Sequence, residues 1–83
     1  MIAAVESSEI KARIDALGLF CPVPLHMIGK TFRKLSIGDC VELAGDDPGL
    51  VTDMEDWTAA NGHALVDRRR DGRVYIFVVQ KGR

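Results

Sequence analysis

The sequence predicts an α/β (α+β) two-layer sandwich, two helices packed on a four-stranded mixed sheet in the chain order β-α-β-α-β-β. Three observations predict it. Apolar and charged residues alternate over Ile10–Leu17, and apolar residues recur at helical spacing after Pro22 and again after Pro48. An unbroken apolar run, Val74–Val79, follows the turn signal Asp71-Gly72. With 83 residues, 47% of them hydrophobic and 28% charged, the chain has room for one small domain. That domain is expected over residues 10–83, after a flexible N-terminal tail over residues 1–9. A domain of this size buries about 60–65% of its unfolded surface, so its core is thin.

The first strand is expected over Ile10–Leu17. Ile10, Ala12, Ile14 and Ala16 face one way and Lys11, Arg13 and Asp15 the other, the pattern of a half-buried strand. Gly18-Leu19-Phe20 ends it with a turn. Cys21-Pro22-Val23-Pro24 then opens a helix whose apolar face is Leu25, Ile28, Phe32 and Leu35. Proline is tolerated in a first helical turn, so Pro22 reads as the first helical residue and Cys21 as the cap. Arg33 and Lys34 suit the negative end of the helix dipole. Gly29 costs about 1 kcal/mol relative to alanine inside a helix, and close packing on the sheet is the expected reason for it.

Ile37-Gly38-Asp39 is an exit turn. Cys40–Ala44 is a second strand, parallel to the first because a helix crosses between them. Asp46-Asp47-Pro48 reads as an Asp cap followed by proline at the first position of the second helix. Leu50, Val51, Met54 and Trp57 form that helix's inner face, and Asn61-Gly62 ends it. Ala64–Arg68 is a third strand, joined through the Asp71-Gly72 hairpin to a central strand, Val74–Val79.

Net charge is −1, but residues 1–38 carry +2, residues 39–67 carry −8 without a Lys or Arg, and residues 68–83 carry +5. The near-neutral total argues against strong nonspecific nucleic-acid binding. Met1–Arg13 holds Glu6, Glu9, Lys11 and Arg13 and no long apolar run, so neither a signal peptide nor a membrane span is expected there. Two cysteines are too few for a secreted disulfide framework. Both are expected as reduced thiols in a cytoplasmic protein.

Cys21 is the main chemical candidate. A helix N-terminus offers unpaired amide hydrogens and positive potential, so the expected effect is a thiol pKa below its ordinary value. Pro22 and Pro24 support that helix start by fixing its backbone, but they have no amide hydrogen to give, which leaves Val23 and Leu25 as donors. Cys40 reads most simply as a small buried apolar residue. As a resolving thiol for Cys21 it would make the chain a dithiol redox protein. His26 and His63 lack metal-ligand spacing and read as surface residues, and no metal or other cofactor is expected. No phosphate loop or dinucleotide fingerprint is present. Arg68-Arg69-Arg70 reads as a solvated hairpin end or, alternatively, as the surface of a small RNA-binding module.

The chain resembles the TusA/SirA family of small sulfur-carrier proteins. Carrying the resemblance are Asp15-Ala16-Leu17-Gly18, the Cys-Pro-x-Pro motif at Cys21-Pro22-Val23-Pro24, Lys30 in the first helix, Asp46-Asp47-Pro48, and Asp53 in the second helix. It runs from about Ile14 to Gly82, and the family fold has the element order given above. The resemblance implies a sulfurtransferase-type carrier rather than a stand-alone multiple-turnover enzyme. Cys21 would take sulfane sulfur from a cysteine desulfurase or another sulfurtransferase as a persulfide and pass it to an acceptor protein. Lys30, Arg33 and Lys34 would dock partners, with no membrane involved and direct nucleic-acid binding not expected. Phe20 stands where many relatives have a polar or basic residue. Family members serve tRNA thiolation, molybdenum-cofactor-related sulfur supply and sulfur oxidation.

Overall fold

The computed structural model describes residues 10–83; the tail expected over residues 1–9 lies outside them. Six elements follow in the expected order: β1 (Ile10–Ala16), α1 (Val23–Phe32), β2 (Cys40–Gly45), α2 (Leu50–Asn61), β3 (Ala64–Asp71) and β4 (Val74–Gln80). The sheet order is β1-β2-β4-β3. β1 and β2 run parallel, with Ile14 opposite Leu43 and Ala16 opposite Gly45. β4 pairs antiparallel with both β2 and β3. The strand without polar alternation therefore occupies an interior position, where both faces are covered.

One face of the sheet supplies Ala16, Val41, Leu43, Phe77 and Val79 to the core, and the helices close it with Ile28 and Phe32 from α1 and Leu50 and Met54 from α2. Pro24 is also buried, with Leu25 and Leu35 partly buried beside it, so the second proline of the motif is a packing residue as well as a backbone constraint. Thr58 is buried on the inner face of α2. Its hydroxyl donates to the Met54 carbonyl at 2.8 Å, which satisfies the polar atom without leaving the helix. The opposite face of the sheet carries charge. Arg13 pairs with Glu42 at 2.9 Å, and Arg69 pairs with Glu42 at 3.4 Å and with Asp67 at 3.1 Å. Val78 lies in register between Glu42 and Asp67, and these side chains cover it to 8% exposure. Exposed pairs of this kind contribute about 0–1 kcal/mol each; covering the apolar strand with their stems is the larger effect.

Three local expectations shift. α1 begins at Val23 with Pro22 in the cap position, and the Cys21–Pro22 peptide is cis, so Cys21 precedes the cap instead of occupying it. α2 begins at Leu50 with Gly49 as cap. Asp47 caps a tighter preceding turn: its carbonyl accepts from the Leu50 amide at 2.9 Å and its Oδ1 from the Gly49 amide at 3.2 Å. β3 continues to Asp71, which pairs with Val74, so the hairpin loop is Gly72-Arg73, with Gly72 at φ +62°.

Gly29 does not pack closely on the sheet. A Cβ there would meet nothing within 4 Å, whereas one on Gly45 would sit 2.6 Å from Cδ2 of Leu50. Leu50 is fully buried and has nowhere to move. Gly29→Ala is therefore expected to raise stability by about 0.5–1 kcal/mol through helix propensity, and Gly45→Ala to lower it through overpacking by about 1–3 kcal/mol. Urea unfolding of the two variants checks the opposite signs.

Candidate functional site

Cys21 is exposed in the loop between β1 and α1. That loop is fixed by short-range and long-range hydrogen bonds. The Leu17 amide donates to Asp15 Oδ1 at 3.0 Å, and the Leu19 amide to the Ala16 carbonyl at 3.1 Å. Gly18 sits at φ +78°, a conformation that favours glycine, and its amide donates to Asp46 Oδ1 at 2.9 Å. The Cys21 amide donates to Asp47 Oδ2 at 3.3 Å. Leu19 is tucked against the core. Leu17, Phe20 and Val23 stay outside, with Phe20 72% exposed. The thiol thus stands in a well-tied loop among apolar side chains that nothing in the described chain covers.

The expected thiol activation is reversed. The Cys21 pKa is raised above its ordinary value, first by the hydrogen bond its thiol makes to Asp53, then by desolvation and by the negative charges of Asp53 and Asp47. The reasons are local. Cys21 lies one position before the cap, and prolines without amide hydrogens occupy the cap and the second position of α1. The Val23 amide is spent on the Phe20 carbonyl at 3.0 Å. No side-chain cap bond compensates. Meanwhile the Asp46–Asp47 turn and the first turn of α2 bring two carboxylates to the sulfur. A carboxylate that accepts a hydrogen bond from the thiol favours the protonated form, and a second negative charge disfavours the thiolate further.

The other candidate residues separate into groups. Lys30 and Arg33 line a groove of about 630 Å³ that runs from Pro22 along α1 to α2, Lys81 and Arg83, and His26 lines it too. Lys34 lies in the turn after α1, outside that lining. Cys40 is buried at the start of β2 and pairs with Ile10, whereas Cys21 follows the other end of β1, beyond the Ala16–Gly45 pair. The length of the strand, about 16 Å at 3.3 Å per residue, separates the thiols, and a disulfide needs Cα atoms within about 7 Å. The arginine run is occupied: Arg68 pairs with Glu55, Arg69 with Glu42 and Asp67, and Arg70 donates to the Gly72 carbonyl and lies 5.5 Å over the Tyr75 ring. These exposed pairs fit the solvated hairpin end. His63 is half-buried and ring-packed, not a surface residue: it meets Phe32 edge-on at 4.8 Å and Trp57 at 5.2 Å. Among the described residues no group of three or more His, Cys, Asp or Glu side chains is placed to hold a metal ion, and no helix is long and apolar enough to cross a membrane.

Asp47 and Asp53 are the site residues that a reading of isolated motifs misses. The available signal was topological: parallel strands deliver the loops that follow them to the same end of a sheet. The result is a two-layer sandwich that presents one exposed thiol, backed by carboxylates, at the carboxyl ends of two parallel strands. A family model described as sulfurtransferase TusA matches residues 12–81, and the chain belongs to the TusA/SirA family. The fold is also that of a SirA-like protein from Desulfitobacterium hafniense, whose crystal structure superposes with a TM-score of 0.75 at 23% identity, covering 87% of this chain and 99% of that one. Family membership points to a sulfur-carrier role.

Two predictions follow from the electrostatics. Asp53→Asn removes the largest cause of the raised thiol pKa, so the pH profile of Cys21 alkylation should move to lower pH and the rate near neutrality should rise several-fold; an unmoved profile would count against the Asp53 contact. The His63 pKa is lowered from 6.5, first by burial and then by Arg83 and Lys81. The unfolded chain therefore binds more protons below that value, and stability present above it is lost as the pH falls through the folded-state pKa. Urea midpoints at about pH 7.5 and about pH 5 should fall less in His63→Asn than in the unsubstituted protein.

Proposed function

We propose that this protein is a cytoplasmic sulfur carrier in which Cys21 holds sulfane sulfur as a persulfide. The observation that carries the proposal is the exposed Cys21 thiol in its tied loop, bordered by Leu17, Phe20 and Val23, with its pKa raised chiefly by Asp53. In the loading step Asp53 is placed to accept the thiol proton. The Cys21 sulfur attacks the outer sulfur of a donor persulfide, such as that of a cysteine desulfurase or another sulfurtransferase. A Cys21 Sγ–S bond forms, the donor S–S bond breaks, and the donor cysteine leaves with the electron pair and is reprotonated. Delivery repeats the exchange with an acceptor protein's thiol attacking the outer sulfur. This is the logic of thiol–disulfide exchange, in which rate depends on thiolate fraction, intrinsic nucleophilicity and access.

The raised pKa fits this chemistry. A less acidic thiol is a stronger nucleophile once deprotonated, and a neutral resting thiol is less open to oxidation while the protein travels between partners. Phe20 and its apolar neighbours suit a contact that excludes water from the sulfur during transfer. Lys30, Arg33 and Lys34 form a basic flank on the adjoining helix and turn, and would steer acidic partner surfaces toward the loop.

Incubation with a cysteine desulfurase and cysteine should add the mass of one sulfur, and the adduct should be lost in Cys21→Ser and retained in Cys40→Ala. No adduct with several donors, or an adduct that persists in Cys21→Ser, would overturn the proposal. Phe20→Ser should slow loading by about tenfold or more without changing Cys21 alkylation by a small reagent, since it removes the apolar protein contact and adds no charge beside the thiol.

A further inference from the structure

The groove beside α1 has a chemistry of its own. Phe32, Trp57 and His63 pack ring against ring in its lining, with Phe32 and Trp57 6.2 Å apart. Lys30 and Arg33 enter the same lining, and no Asp or Glu side chain does. Among the described residues the ion pairs with carboxylates are made by Arg13, Arg68 and Arg69, and no Asp or Glu side chain of the described residues pairs with Lys30 or Arg33. Lys81 adds positive potential from a fixed place: its Nζ donates to the Phe32 and Leu35 carbonyls at 2.5 and 2.6 Å. Nδ1 of His63 accepts from the Gly82 amide at 3.0 Å, so the neutral ring carries its proton on Nε2 and keeps a donor for a further partner. Gly29 also lines the groove. It weakens α1 relative to alanine, and a Cβ there would meet only open space. No packing contact accounts for that glycine, and its lack of a side chain leaves the groove open above α1.

We propose that this groove binds one nucleoside 5′-phosphate, the base against the Trp57–His63 rings and the phosphate on Lys30 and Arg33. Each half of the ligand is called for by a different observation. A bare phosphate would use the cations and leave the rings idle, while a glutamate-rich peptide would use the cations and bring no aromatic ring to stack on them. The groove, about 630 Å³, falls in the range of small-ligand sites. Base–aromatic stacking and Arg–phosphate contacts are the recurring means of holding a nucleotide. The inference is independent of the sulfur chemistry at Cys21.

Trp57 is the chain's single tryptophan, so its fluorescence reports on this groove directly. Titration with AMP should give a saturable change that weakens at raised salt. Arg33→Ala should weaken binding by about tenfold, the loss of one charge-assisted contact. Gly29→Leu should abolish it by filling the groove, with circular dichroism and urea unfolding confirming an intact, undiminished fold. Adenosine and ribose 5-phosphate should each bind at least about tenfold more weakly than AMP, since each lacks one half of the ligand. Cys21→Ser should bind as the unsubstituted protein does, so failure of the sulfur-carrier reading and failure of this one are separable. A 5′-phosphorylated oligonucleotide that binds as tightly as AMP would place the nucleotide at a nucleic-acid end, and a preference for AMP would make it a free nucleotide; both support the site. No saturable response, a response unchanged by Arg33→Ala and Gly29→Leu, equal affinity for ribose 5-phosphate and AMP, or a glutamate-rich peptide that displaces AMP at lower concentration would overturn it.

Discussion

The parallel pairing of β1 with β2 is the constraint on which the site depends. Ile14 opposite Leu43 and Ala16 opposite Gly45 fix both strands to end at the same edge of the sheet. The loops that follow them must then meet. The Asp46–Asp47 turn reaches the amides of Gly18 and Cys21, and α2, starting just beyond, brings Asp53 to the thiol. Gly45 makes the approach close, because its missing side chain admits Leu50 directly above the end of β2. The same register sends Cys40 to the far end of the sheet. One topological choice thus brings carboxylates to one cysteine and buries the other.

The consequence for Cys21 is electrostatic. A cysteine near a helix start ordinarily gains from unpaired amides, but here the amides are absent at Pro22 and Pro24 or spent at Val23. Local carboxylates then decide the sign. This arrangement differs from that of a strongly oxidising thiol, whose thiolate is stabilised and which leaves readily. A carrier must accept an atom from one protein and surrender it to another, so extreme stabilisation of either state would work against one of the two transfers. A carboxylate that holds the thiol proton and lies within reach to take it serves an exchange that runs in both directions.

Much of the fold was legible because burial writes directly on sequence. The alternation over residues 10–16 gave a strand with one covered face, the unbroken run of β4 gave an interior strand, and the spacing of Ile28 and Phe32 gave the inner face of α1. Cys21 was marked by its two prolines. The direction of its pKa shift was not legible, because it depends on Asp47 and Asp53, residues 26 and 32 positions away whose approach comes from strand pairing and not from local pattern. The start of α2 was misplaced for a related reason: Asp47 does accept an amide hydrogen, but from a tight turn that precedes the helix. His63 and Gly29 looked ordinary in sequence, since an isolated histidine or glycine carries no period. Only the packing of the two helices shows that the histidine joins a ring cluster and that the glycine faces open space.

The division of surface between the two helices is the last step. At the N-terminal end of α1 the exposed groups are apolar: Leu17, Phe20 and Val23. Further along, the same helix presents Lys30 and Arg33 beside aromatic rings. From Val23 to Lys30 the helix rises about 10 Å, a little more than the Debye length of about 8 Å at physiological salt, so the charges of the groove reach the thiol loop attenuated but not abolished. Any anion held on Lys30 and Arg33 would reduce the positive field that an approaching acidic partner meets. Occupancy of the groove and docking at the loop are then coupled through charge alone, with no change of shape required, and that coupling should fade as salt screens it.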